Sequence, residues 1–372
     1  MADLSVTVDG LKLPNPFVIG SGPPGTNANV IGKAFDEGWG AVIAKTVSLD
    51  ASKVVNVTPR YARMRAGQTK EILGWQNIEL ISDRPFEVWE QEFRQVKARY
   101  PGRVLIASIM EEYRKEAWEE IVKRCQDAGV DAFELNFSCP HGLPERRMGS
   151  AMGQDPEILA EVCGWVNKVA RVPVWAKMTP NITHIEEPAR AALKAGCEGI
   201  AAINTILCVM GVDLKTLRPE PTVEGYSTPG GYSCRAVRPI ALRMVMECAR
   251  MMRAEFPDRS ISGIGGVETG EDAAQFILLG AGTVQVCTGV MIHGYELLKT
   301  LTAGLSAFMD AHGFKTIEQF RGHSLRYFTT HADLVKRQAE SRAAKAEGVI
   351  TKDTQWRGDR FVEQSNKLVS NN

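Results

Sequence analysis

Cys139 stands in the run Asn136-Phe137-Ser138-Cys139-Pro140, where a short apolar stretch gives way to proline and glycine. A thiol there can exchange a proton with a bound molecule when its acidity suits the task. Core packing is the usual account of a cysteine, and it is the reading adopted for Cys125, Cys163, Cys197, Cys208, Cys248 and Cys287. Cys234 lies in a polar stretch and stays open. Cys139 is set apart because Pro140, Gly142 and Pro144 discourage an early helix, so 139–149 reads as an exposed, movable loop.

Other polar residues follow apolar runs in the same way. Lys45 and Lys177 each end one, a costly place for an ammonium unless it meets an anion or a polarisable cofactor, or snorkels to water. A cofactor with an anionic ring edge and a phosphate tail would use both. Asn77, Asn136, Asn204 and Thr205 can each donate and accept, as a flat ring with alternating C=O and N–H groups would require. Singly, each asparagine also reads as a turn or cap. Gly263, Gly265, Gly266 and Gly289 suit either tight turns or backbone contact with a phosphate. Gly20-Ser21-Gly22-Pro23-Pro24-Gly25 has the letters of a dinucleotide fingerprint, but its adjacent prolines oppose the helix start that motif needs. It reads instead as a loop that touches a cofactor through backbone atoms.

The elements that must hold these residues are short apolar runs near 17–20, 41–46, 104–110, 132–137, 174–178, 199–204, 260–263 and 283–287. They have the look of parallel strands buried on both faces. Amphipathic stretches at 116–128, 156–169, 186–195, 239–255 and 270–279 lie between them, and Asp155-Pro156 supplies a helix cap with proline at the first turn. This alternation predicts an α/β fold, a single (β/α)8 TIM barrel, rather than an open sheet. Apart from Asn77, which lies in the long stretch after the second run, the polar residues above collect where the strands end, and in a barrel such C-terminal ends form one ring around one site. Long stretches after the second and sixth strands predict insertions on that same catalytic face. The expected division is a barrel over 1–325 and a C-terminal helical or extended tail over 326–372, with a charged helix over 332–348 that docks a partner or a second copy.

The 372 residues carry 44 Lys and Arg against 44 Asp and Glu, so there is no basic excess for nucleic acid or a membrane surface. No apolar run reaches the roughly 18 residues of a membrane span. The polar, acidic start is unlike a secretory signal. None of the eight cysteines has Cys-x-x-Cys spacing, so neither a metal nor an iron–sulfur cluster is expected in this chain. Free thiols in the cytoplasm are the expectation.

At Asn136-Phe137-Ser138-Cys139-Pro140 the sequence resembles the dihydroorotate dehydrogenase superfamily, whose barrels hold FMN. It is most similar to the pyrimidine-reducing branch, the dihydropyrimidine dehydrogenases. The stretches that carry this are Asn77-Ile78-Glu79-Leu80-Ile81-Ser82, Glu134 through Gly142 with Gly153-Gln154-Asp155-Pro156, Ala176-Lys177-Met178-Thr179-Pro180-Asn181, Arg238-Pro239-Ile240-Ala241-Leu242-Arg243 and Ile261-Ser262-Gly263-Ile264-Gly265-Gly266. The resemblance implies reduction of the C5–C6 double bond of uracil or thymine, or the reverse, as the first step of reductive pyrimidine catabolism. Cys139 would then protonate C5 while FMN delivers hydride to C6. Asn77, Asn136, Ser138, Asn204 and Thr205 would hold the pyrimidine. FMN would be bound by Gly20, Ser21, Lys45, Thr46, Asn77, Asn136, Lys177, Ile203, Gly231, Ser233, Gly265, Gly266, Cys287 and Thr288.

With no nicotinamide or iron–sulfur site in the chain, the resemblance implies an oligomer with an electron-transfer subunit bearing FAD, iron–sulfur clusters and an NAD(P)H site. The rival reading is dihydroorotate oxidation, which Glu79 opposes if it faces the substrate's carboxylate. A non-catalytic flavin barrel and an electron-transfer module without its own substrate are further rivals; the full set of polar residues speaks against both.

Overall fold

Runs such as Phe17-Val18-Ile19 and Ala41-Val42-Ile43 have no polar side to turn to water, so they become strands only where both faces are covered. The computed structural model describes residues 2–51, 54–139 and 148–346, and in it eight such runs close on themselves. They are β1 (Phe17–Ile19), β2 (Ala41–Ile43), β3 (Val104–Ile109), β4 (Ala132–Asn136), β5 (Val174–Lys177), β6 (Gly199–Ala202), β7 (Ser260–Ile264) and β8 (Thr283–Val286). Every strand pairs in parallel with its neighbours in chain order, and β8 returns to β1. This is the TIM barrel the alternation predicted.

The surrounding helices are α1 (Ala28–Glu37), α2 (Phe86–Arg99), α3 (Lys115–Asp127), α4 (Pro156–Val169), α5 (Glu186–Lys194), α6 (Arg238–Glu255), α7 (Gly270–Leu278) and α8 (Leu297–His312). Local chemistry sets their ends. Asp155 accepts the Glu157 and Ile158 N–H groups with Pro156 at the first position of α4, and Thr269 and Asp272 form a reciprocal capping box on α7. Asp155→Ala is expected to cost about 1 kcal/mol, read as a lower urea midpoint at unchanged slope. No helix among the described residues is long and apolar enough to cross a membrane.

Both mouths of the barrel are built over. An antiparallel hairpin, Val6–Val8 with Leu11–Leu13, turns at Asp9-Gly10, where both residues have positive φ (48° and 81°). Its Asp9 carboxylate accepts the Trp175 indole and the Ser260 hydroxyl at the N-terminal end of β5 and β7. At the opposite mouth the two insertions meet. Tyr61–Arg65 and Ile72–Asn77 come from the first, Ile206–Cys208 and Gly230–Ser233 from the second, and together they form one four-stranded antiparallel sheet.

The chain divides after Leu325. The C-terminal unit contains the helix His331–Ala346, stabilised by Asp333–Arg337 and Lys336–Glu340 pairs one turn apart. The last part of the stretch expected to be helical, 347–348, lies outside the described residues.

Candidate active site

Because strand side chains alternate, Glu134 and Asn136 share one face of β4. Asn136 is in register with Lys177 of β5, at the C-terminal rim. The rim residues open onto one cavity of about 1120 Å³ including its mouth, at or slightly beyond the roughly 300–1,000 Å³ of small-molecule sites. Ser21, Lys45, Thr46, Asn77, Asn136, Cys139, Lys177, Ile203, Asn204, Thr205, Ser233, Gly265, Gly266, Cys287 and Thr288 all line it.

Three residues expected at the site stand just behind its wall. Gly20 packs under Ile264 and Cys287, and Gly231 is paired with Asn77, where an added Cβ would lie 2.1 Å from Thr205 Oγ1. Ser138 is fully buried and works through its neighbours. Its hydroxyl donates to Asn136 Oδ1 (3.0 Å) and accepts from Asn204 Nδ2 (2.7 Å), so it ties two of the amides together. Asn136 Nδ2 donates to Thr46 Oγ1 (2.9 Å), which in turn meets Ser108 Oγ (2.8 Å). The chain Ser108–Thr46–Asn136–Ser138–Asn204 thus fixes which end of each amide faces the cavity. Asn77 sits on the covering sheet, where its Nδ2 reaches Gly231 O at 3.3 Å.

Cys139 is only 7% exposed and packs with Ile81, Met110 and Met148, so it is not on an exposed loop. The returning chain causes this. Gly149, at φ 57°, lies so close that a Cβ there would come within 2.6 Å of Cys139 O. The loop expectation for 140–147 falls outside the described residues. Cys208 and Cys287 differ from the core cysteines: Cys208 lies in the covering sheet, and Cys287 lines the cavity. Burial pushes the Cys287 thiol up to about 11 even with Lys177 and Lys45 nearby, which leaves it a neutral thiol.

The lysines have partners that the sequence did not disclose. Lys177 Nζ lies 3.1 Å from Glu134 Oε1 and donates to Ser21 Oγ, with side chains 2% and 0% exposed for the pair. Lys45 Nζ lies 3.0 Å from Glu79 Oε2. The anions these ammonium groups require are therefore carboxylates of the chain itself, and neither lysine snorkels. Glu79 also meets Arg60 at 3.3 Å and accepts the Tyr61 hydroxyl. Burial and the Glu79 charge together raise the pKa of that phenol.

Gly263 belongs to β7 and packs against Phe276, so packing explains it. The short turn Pro23–Gly25 precedes α1, which starts only at Ala28, so the Gly20–Gly25 stretch is a loop whose Ser21, Gly22 and Pro23 face the cavity. Beyond Gly265 and Gly266, Glu268 meets Arg235 (2.9 Å) and His293 (2.8 Å). Burial alone would raise its pKa, but these two partners outweigh burial and hold it below the usual carboxylate range.

Among the described residues, two buried polar atoms of the cavity wall have no protein partner: the Trp75 indole N–H and Gln285 Oε1. Gln285 Nε2 donates to Glu134 Oε2 at 2.8 Å, which fixes the amide and leaves its oxygen as an acceptor. A buried donor and a buried acceptor left open, beside two lysines and a glycine-lined rim, suit a large polar planar ligand with a phosphate. None of Glu134, Gln285, Trp75, Tyr61 and Ser108 was singled out from sequence. A carboxylate two residues before Asn136, inside the buried run Ala132-Phe133-Glu134-Leu135-Asn136, was the available signal.

Comparison with known proteins agrees with this architecture. A family model described as dihydroorotate dehydrogenase matches residues 3–309. The chain belongs to the dihydroorotate dehydrogenase family. It is an oxidoreductase by that membership. Within the family it is 68% identical to the dihydropyrimidine dehydrogenase (NADP(+)), chloroplastic, of Arabidopsis thaliana, over 99% of this chain and 88% of that one. It is 42% identical to the NAD-dependent dihydropyrimidine dehydrogenase subunit PreA of Escherichia coli K12, over 86% and 76%. Identity falls to 32% for the dihydroorotate dehydrogenase B (NAD(+)) catalytic subunit of Pyrococcus abyssi, over 87% and 99%. The fold alone is shared with the DHODH of Eimeria tenella solved with ferulenol, at TM-score 0.71 and 22% identity, over 87% and 89% of the two chains.

The expected conflict between Glu79 and a substrate carboxylate weakens in this setting. Lys45 and Arg60 flank Glu79, so the local formal charge is +1 rather than −1. Within the family, similarity to dihydropyrimidine dehydrogenases separates the two readings better than Glu79 does.

Proposed function

We propose that this chain interconverts uracil or thymine and the 5,6-dihydropyrimidine, with reduction as the forward reaction and the first step of pyrimidine breakdown. The observation that carries the proposal is the placing of Cys139 in one cavity with three amides and a hydroxyl, from Asn77, Asn136, Asn204 and Thr205. Amides present both a donor and an acceptor, so they can pair with either polar edge of a pyrimidinedione. The hydrogen-bonded chain through Ser138 holds two of them ready before the ring arrives. Cys139 carries the proton for C5 at Sγ, and its burial keeps that proton from exchanging with bulk water during the reaction. The Arabidopsis and Escherichia coli relatives are named for this reaction, which supports the reading.

Lys45, Lys177, Ser21, Thr46, Asn77, Asn136 and Ile203 would hold the ring of FMN. Gly231, Ser233, Gly265, Gly266, Cys287 and Thr288 would surround its ribityl and phosphate, with Gly20 behind them. FMN, when bound, supplies the hydride chemistry. Gly265 has φ 153°, and a Cβ there would lie 2.4 Å from Ala241 Cβ. Gly265→Ala is therefore expected to cost about 1–3 kcal/mol of stability and to release FMN on gel filtration under conditions where the parent keeps it.

The reducing equivalents are proposed to come from an electron-transfer partner with FAD, iron–sulfur and NAD(P) sites. That two of the relatives are named as subunits supports this. The compartment proposed is the cytoplasm, with a chloroplast as the alternative suggested by the Arabidopsis relative's name.

Anaerobic titration of the flavin-loaded chain tests the proposal. Dihydrouracil is expected to bleach the flavin absorption and dihydroorotate to leave it. Bleaching by dihydroorotate alone would move the chain to the other branch, and a chain that cannot take up FMN would end the proposal.

A further inference from the structure

Glu134 has no part in the chemistry above, yet it is fully buried behind the cavity-lining Lys177 and Gln285 and organises both. Its Oε1 meets Lys177 Nζ and its Oε2 takes the N–H of Gln285, so each carboxylate oxygen fixes a different cavity-lining side chain. The charges around the two cavity lysines sum simply. Lys177 with Glu134 is neutral, and Lys45, Glu79 and Arg60 together carry +1. Without Glu134 these two clusters would together carry +2 instead of +1. Charge acts strongly in so dry a place, since each side chain of the Lys177–Glu134 pair is at most 2% exposed.

We propose that Glu134 is a positioning residue that sets the electron affinity of the bound flavin: it neutralises Lys177 and turns Gln285 so that its free oxygen is presented as an acceptor. This rests on the function proposed above. A flavin gains negative charge when it is reduced near neutral pH, so a lone Lys177 favours the reduced state and the Lys177–Glu134 pair does so much less. Glu134 thereby keeps the flavin reducing enough to pass electrons on to the pyrimidine. The two members of the pair must act in opposite senses, which a purely structural role would not produce.

The test is the midpoint potential of bound FMN, measured by anaerobic reductive titration against a reference dye, for the full chain and three variants. Glu134→Gln is expected to favour reduced over oxidised FMN at least tenfold relative to the parent, an upward shift of about 30 mV for a two-electron couple. Lys177→Met is expected to shift it downward by a similar factor, and the double variant to return to within about threefold of the parent. Should Glu134→Gln not fold, Lys177→Met carries the test through its opposite sign. A flavin-loaded Glu134→Gln with unmoved potential overturns this inference alone, as does movement of both single variants in one direction. A parent chain that takes up no FMN overturns the inference and the proposed function together.

Discussion

Cys139→Ala is expected to lower turnover of uracil by about 10²–10⁴-fold, the usual loss when a general acid is removed, while FMN uptake stays at the parent level. The separation follows from position. Cys139 packs with Ile81, Met110 and Met148 and is not among the residues proposed to hold FMN, so removing one sulfur leaves the proposed cofactor contacts intact. Its packing contribution is small, about the loss of one buried methylene-sized group, roughly 1 kcal/mol. Cys139→Ser sharpens the test. Serine keeps the shape and a hydrogen, but a hydroxyl is a far weaker acid than a thiol, whose ordinary pKa is about 8.5. If proton donation is the role, serine falls close to alanine; if Cys139 only fills space, serine keeps most of the activity. Steady-state turnover with the partner's electrons replaced by a chemical reductant reads both. An alanine variant within tenfold of the parent would remove Cys139 from the chemistry.

The barrel was legible because each strand is a short, largely apolar buried run and the amphipathic helices between them have their own period, information that is local. The largest boundary shifts come where the chain leaves a barrel strand. The second run was expected to extend to residue 46, but β2 ends at Ile43, since Lys45 and Thr46 turn into the site. Most of the expected residues that line the cavity were legible for the same reason: polar types at the ends of apolar runs. Pairing across the barrel was not. The partners of Lys177 and Lys45 lie in other elements, and only the register that sets Asn136 against Lys177 brings Glu134 beside that ammonium. The covering sheet was foreseen only as insertions, because Ile72–Asn77 and Gly230–Ser233 are short, glycine-containing and more than 150 positions apart. Nor could the burial of Cys139 be read, because the chain that covers it returns only at Met148-Gly149.

Lys177→Met in the flavin-free chain is expected to lower stability by about 3–5 kcal/mol, the cost of leaving one member of a buried ion pair without the other. The geometry puts the pair at the upper end of that class: Glu134 is fully buried, and after loss of the ammonium the Gln285 amide is the one remaining side-chain partner of its carboxylate among the described residues. The pair is nearly dry: Lys177 lines the cavity at 2% exposure and Glu134 lies behind it at 0%. Methionine fills most of the volume, so the loss reports charge rather than a void. Adding Glu134→Gln removes the stranded charge and is expected to restore most of the stability, giving a coupling energy beyond the 0.5–3 kcal/mol range of ordinary contacting pairs or at its top. Urea unfolding of the two single variants and the double variant, each stripped of flavin, measures that coupling. Single-variant losses that simply add in the double would mean that the pair is not an energetic unit, and that the stability of the barrel centre rests on the surrounding hydrophobic packing instead. A large coupling would show that the charge arrangement at the centre of the proposed site is built by folding, before any ligand arrives.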